Sequence, residues 1–130
     1  TYRIYDYNRK DSEGKSRELH TQLAKDAIDY SVHKTYKTSY SEKINEPTAL
    51  VSCPYFTTNL LELNQSILLD YKNLDSFVIY ICMMGKAEIK DNKGNVISIR
   101  QGETVLIPAD TTSVEIIPSE NTKVLETFIE

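Results

Sequence analysis

From residue 50 onward, apolar side chains recur at every second position in short runs broken by Gly, Asn, Asp and Pro. That period turns one face of each run toward a core and the other toward water. The runs predict strands at 50–53, 55–63, 66–70, 76–82, 86–91, 95–100, 104–107, 112–117 and 122–129. Between Ala87-Glu-Ile-Lys and Val96-Ile-Ser-Ile, the segment 91–95 reads Asp-Asn-Lys-Gly-Asn, a hairpin turn with Gly94 suited to a positive φ. Isolated sheet edges expose backbone donors and acceptors, so nine short strands predict closed or two-sheet packing, and the fold class is mainly β.

The first third of the chain has a different texture. Residues 1–7 alternate and are rich in tyrosine, which predicts a strand, and Asp11, Ser12 and Gly14 mark a loop over 8–16. Over 17–30, Leu19, Leu23, Ala24, Ala27 and Ile28 recur at three- and four-residue spacing, predicting an amphipathic helix capped by Ser16. Residues 31–49 lack periodicity and read as a connector. A division follows, with 1–49 as strand, helix and connector and 50–130 as the β domain. The β domain has the turns and apolar positions to fold by itself. The leading segment has one strand and one helix, a length at which helices are marginal in water. It is expected to fray, to pack on the β domain, or to pair with a second copy as a homodimer. An alternation already in progress at Thr1 reads as the middle of a strand, and so as a piece of a longer protein.

At 130 residues with 40% hydrophobic side chains, the chain can bury a single core. Its net charge of -4, with no Lys/Arg block, argues against nucleic acid as a partner. The uncharged stretch 76–85 is far short of the roughly 20 apolar residues that cross a bilayer, the longer uncharged run 47–61 is broken by Pro, Ser, Thr and Asn, and no secretory signal opens the chain. No membrane partner and a cytoplasmic location are the expectation. Cys53 and Cys82 lie in apolar runs without a CxxC or Cys/His cluster, which points to buried reduced thiols.

Three features bear on chemistry. The segment from Gly102 through Pro108 to Ser113 resembles the second cupin motif, except that Ser113 stands where that motif has its metal-binding histidine. Residues 76–89, with Gly85, resemble the strand and turn of the first motif, but no His-x-His precedes them. A metal needs three or four converging N, O or S donors, so this domain is read as metal-free, its glycines and proline holding the β framework. His20 in the helix and His33 in the connector read as surface or partly packed side chains, and the carboxylates form no pair at one site. Strand alternation would set Arg3, Tyr5, Tyr7 and Arg9 on one face. Two guanidinium forks beside tyrosine hydroxyls suit phosphate, although a solvated edge strand accounts for the same pattern.

The run Thr1-Tyr-Arg-Ile-Tyr-Asp-Tyr-Asn-Arg, then Arg17-Glu-Leu-His20 and Ala24-Lys-Asp-Ala-Ile28, resembles type I mannose-6-phosphate isomerases of the bacterial branch. Cys53-Pro-Tyr-Phe-Thr-Thr-Asn59-Leu, Asp75-Ser-Phe and Gly102-Glu-Thr-Val-Leu-Ile-Pro-Ala109 are similar to their C-terminal lobe. The resemblance implies an enzyme of two cupin lobes, with zinc bound in the first by Gln, His, Glu and His, all preceding Thr1. It implies that the parent interconverts mannose 6-phosphate and fructose 6-phosphate through a cis-enediol, with zinc as Lewis acid. Arg3 matches the family's active-site arginine, and Arg9 falls where a basic residue suits the substrate phosphate. The implied partners are a sugar phosphate and the absent N-terminal zinc lobe, and this piece alone would be inactive and zinc-free. A metal-free sugar-binding or regulatory cupin module is the alternative from another class. A purely structural β lobe is a third reading, compatible with the first.

Overall fold

The protein is described by a computed structural model covering residues 1–129. It separates into two compact units, Thr1–Lys37 and the remainder from Thr38 onward.

The second unit carries nine strands: β1 (Thr48–Cys53), β2 (Phe56–Leu63), β3 (Ile67–Asp70), β4 (Val78–Met84), β5 (Lys86–Asp91), β6 (Val96–Arg100), β7 (Thr104–Ile107), β8 (Ser113–Pro118) and β9 (Thr122–Phe128). One sheet runs β1-β2-β9-β4-β7 and the other β3-β8-β5-β6, with antiparallel pairing throughout. Only β1–β2 and β5–β6 are joined within a sheet; every other connection passes from one sheet to the other, as in a jelly roll. The nine strands match the period-two runs to within two residues at each end.

Register explains how the core is made. Across β2, β9, β4 and β7 the inward positions line up in rows: Thr57, Phe128, Val78 and Ile107, then Asn59, Glu126, Tyr80 and Val105, then Leu61, Val124 and Cys82. The opposite sheet contributes Ala87, Ile89, Ile99, Val114 and Ile116. Each Val, Leu or Ile so buried contributes about 1.5–3 kcal/mol. Cys82 lies inside this core and burial pushes its thiol pKa up, whereas Cys53 is only half-buried.

Two crossings between the sheets meet at one corner. Gly85 has φ +78, and a Cβ there would stand 2.6 Å from the Asn121 carbonyl oxygen and 2.8 Å from Thr122 Oγ1, so both dihedral and space demand glycine. Its carbonyl accepts from Gln101 N at 3.0 Å, and Gly102 N donates to Cys82 O at 2.9 Å. At the 91–95 hairpin Gly94 takes φ +85. Asp91 Oδ1 accepts from the backbone N–H of Lys93 and Asn95 at 2.9 and 2.8 Å, and Oδ2 from Asn95 Nδ2 at 2.7 Å.

The first unit departs from its sequence pattern. Residues 1–7 form no strand: Tyr7 and Asn8 adopt left-handed backbone at φ 52 and 54, and Arg9 N closes a turn on Asp6 O at 2.9 Å. Arg3, Tyr5, Tyr7 and Arg9 therefore share no strand face, and the strand on which a pairing homodimer would depend is absent. The helix is α1 (Thr21–Ala27), shorter than 17–30, and its N-cap is His20 rather than Ser16. The reason is local. Glu18 and His20 are tied to Arg3 by hydrogen bonds, and Ser16 is drawn into a bridge with Lys10 across the Asp11 loop.

Candidate functional site

In the first unit the arginines gather around a single carboxylate. Arg3 N donates to His20 Nδ1 at 3.1 Å, His20 N returns a bond to Arg3 O at 2.7 Å, and Arg3 Nη1 donates to Glu18 O at 2.9 Å. These three bonds lock the Arg3 backbone and one nitrogen of its guanidinium. Among the described residues the remaining donors of the fork are uncommitted. Arg17 grips Asp6 through both carboxylate oxygens. That bond, with the further positive fields of Arg3 and Arg9, holds the Asp6 carboxyl below its ordinary range. Arg9 lies over the Tyr7 ring, 5.8 Å from its centroid. Three guanidinium groups thus face one carboxylate, leaving an excess of two positive charges in a short segment. Arg17, which the sequence pattern assigned only to a helix, is the member that organises the group.

The histidines are accounted for by local contacts, His20 by Arg3 and His33 by an edge-on contact with Tyr36 at 5.6 Å. Among the described residues, no three His, Cys, Asp or Glu side chains converge as a metal site requires. Ser113, at the motif's histidine position, pairs with Asp70 in the β3–β8 ladder. The described residues do not fit a zinc ion.

The second unit contains a polar group that pattern reading passed over. Glu126 is only 2% exposed, and it is the one charged residue in the buried set among the described residues. Asn59 Nδ2 donates to its Oε2 at 2.7 Å. Tyr71, from the turn after β3, donates its hydroxyl to Oε1 and in turn accepts from Tyr80, since a phenol has one proton to give. Burial, reinforced by the Glu126 charge, raises the pKa of both tyrosines far above the ordinary phenol value, so they stay protonated as donors. Tyr71 and Glu126 floor a cavity of about 560 Å³ walled by Pro47, Leu69, Leu74 and Phe128. The signal was present in β9, where Glu126 falls on the same parity as the buried Thr122 and Val124. An acid on an inward strand position calls for partners: register supplies Asn59 directly from β2 and sets Tyr80 of β4 beside it, where it reaches Glu126 through Tyr71.

With this geometry described, the comparisons with known proteins can be placed beside it. The family model described as mannose-6-phosphate isomerase, cupin domain, matches residues 45–120. Mannose-6-phosphate isomerase ManA of Bacillus subtilis is 32% identical over 110 residues, covering 83% of this chain and 34% of that protein. The mannose-6-phosphate isomerase of Streptococcus mutans is 26% identical over 109 residues, with the same shares. The chain thus spans about a third of the length of these relatives. Among solved structures, the Bacillus subtilis mannose 6-phosphate isomerase superposes with TM-score 0.66 at 23% identity, over 97% of this chain and 39% of that one. A cupin-2 domain protein of Shewanella frigidimarina gives TM-score 0.55 at 15% identity, over 67% and 82%. Both likenesses show the fold. The cupin-type jelly roll is thereby established, and with the match over more than half its residues the chain belongs to the mannose-6-phosphate isomerase cupin-domain family.

Proposed function

We propose that this chain is the C-terminal part of a zinc-dependent, type I mannose-6-phosphate isomerase, a cytoplasmic enzyme that in its intact form interconverts mannose 6-phosphate and fructose 6-phosphate. The observation that carries the reading is 32% identity with the Bacillus subtilis enzyme over 83% of this chain. Because the residues described here do not fit zinc, the metal and its ligands would belong to a lobe supplied by the remainder of the parent. In this reading residues 1–49 complete that lobe, and 50–130 form the metal-free domain beside it.

This chain's own contribution to the reaction is electrostatic. Arg3, fixed by His20 and Glu18, offers its free guanidinium donors to the sugar phosphate or to the negative charge that develops on the substrate oxygens. A permanently charged donor that is already positioned stabilises such charge without reorganising at the moment of reaction. Arg9 is the softer partner for the phosphate, held over Tyr7 rather than by a hydrogen bond.

The test uses the full-length parent. Arg3→Ala should lower kcat by about two orders of magnitude or more, as removal of one transition-state contact does. Arg3→Lys, which keeps charge but loses the fork, should recover only part of the loss. Near-parental turnover in Arg3→Ala with an unchanged thermal midpoint overturns the role. The isolated chain should show no isomerase activity and retain no zinc after dialysis; a stoichiometric zinc ion would contradict the division of labour.

A further inference from the structure

The Glu126 cluster costs stability unless it has a use. Burying a carboxylate among neutral groups is unfavourable by several kcal/mol even when it is hydrogen-bonded, and no Lys or Arg pairs with Glu126 among the described residues. A purely structural polar network would be closed on all sides by protein. This one reaches, through Tyr71 and Glu126 at 9 and 2% exposure, the wall of a cavity of about 560 Å³, a size typical of small-molecule sites. Glu126 accepts two hydrogen bonds where a carboxylate has about four acceptor positions, so part of its capacity is unused.

The chemistry of the lining selects a ligand. Its charged side chains are Asp70 and Glu126, both acidic, and no basic residue lines it. Asp70 is already committed, accepting from Lys72 N at 3.0 Å with the Lys72 ammonium 3.4 Å away. A phosphate ester would meet the uncompensated carboxylate of Glu126, and the nearby Lys72 ammonium is already paired with Asp70. Neutral hydroxyl groups, by contrast, can donate to the free positions of Glu126, and the Tyr71 oxygen can exchange bonds with them. Leu69, Leu74, Phe128 and Pro47 offer an apolar wall to the C–H face of such a molecule. We propose that this cavity binds an unphosphorylated sugar or polyol, with Glu126 as principal acceptor and Tyr71 and Tyr80 as the hydroxyl relay that orients it. The inference does not rest on the isomerase reading, since it concerns only residues of the β domain.

The 130-residue chain is titrated with D-mannose, D-fructose and D-mannitol, followed by backbone and tyrosine-ring NMR shifts. Saturable shifts confined to Tyr71, Asn73, Leu74, Glu126 and Phe128 are expected for at least one of the three, with mannose 6-phosphate binding at least about tenfold more weakly. Glu126→Gln, which keeps volume but removes charge, should weaken binding about tenfold or more, the loss of a charge-assisted bond. Should that variant fail to fold, Asn73→Trp narrows the cavity mouth from an exposed position, leaves the four polar residues intact, and should weaken binding by a similar factor. No saturable shift with any of the three up to about 100 mM, well above a millimolar Kd, overturns the proposal. So does equal affinity for mannose 6-phosphate, or unchanged affinity in a folded Glu126→Gln or Asn73→Trp chain.

Discussion

Strand β9 and residues 1–7 are held by different physics. Both alternate in character along the chain, yet β9 lies between β2 and β4 with Val124 fully buried, whereas Tyr2, Tyr5 and Tyr7 are 46, 60 and 75% exposed. In β9 the alternation sends every second side chain out of water, and two neighbouring strands satisfy the backbone. In residues 1–7 the alternating tyrosines have no sheet to enter. Side-chain bonds from Arg3 and Arg17 set the path of the chain there instead. A period-two pattern fixes a strand only where burial and a partner accompany it.

If apolar burial governs the second unit and polar contacts the first, truncating a leucine in each should separate them most widely. Leu61→Ala, inside the core, is expected to cost about 2–5 kcal/mol. Leu23→Ala, half exposed on α1, should cost about 0.5 kcal/mol or less. Denaturant midpoints of the two variants measure the contrast, and equal losses would erase it. A smaller effect, about 2–3 kcal/mol from backbone strain and close contact, is expected for Gly85→Ala, while Gly14→Ala, in open space at φ +79, should cost about 1 kcal/mol. Thermal unfolding of the pair would show whether the corner beside Gly85 is as tightly built as its geometry states.

The smallest effect sharpens the comparison through pH. Asp6 and Asp91 both titrate below the ordinary carboxyl range, Asp6 chiefly through the Arg17 side chain and Asp91 chiefly through the Asn95 side chain. A lowered folded-state pKa means the stabilisation is present above the unfolded value near 3.9 and is lost as pH falls through the folded value. Arg17→Gln should therefore return the Asp6 titration toward its ordinary value and leave Asp91 unmoved, as followed by carboxyl NMR. An unmoved Asp6 would show that Arg17 does not organise the arginine group.

These contrasts explain what could be read beforehand. The nine strands, the 91–95 hairpin and the special glycines at 85 and 94 follow from period and turn chemistry, because a buried face and a left-handed turn each leave a local signature. The absent strand at 1–7 and the short helix could not be read, because they depend on Arg3 reaching His20 and Glu18, a contact between residues some seventeen positions apart. The site divides in the same way. Arg3 and Arg9 were visible as residue types, whereas the cluster at Glu126 needs the register of three strands and the turn at Tyr71 before its members meet.

The pairing order also governs how the domain comes into being. Thr57 of β2 lies opposite Phe128 of β9, and β4 meets that same last strand on its other side, so the central strand of the larger sheet is the final one in the sequence. Until it is available, β2 and β4 lack their common neighbour and the Val124 row of the core is missing. Closing such long loops precedes any return from contacts, which slows folding. On the ribosome, therefore, the β domain waits: its larger sheet completes only after residue 128 has cleared the exit tunnel, and a polypeptide cut short before Thr122 would leave two open strand edges where one continuous sheet should be.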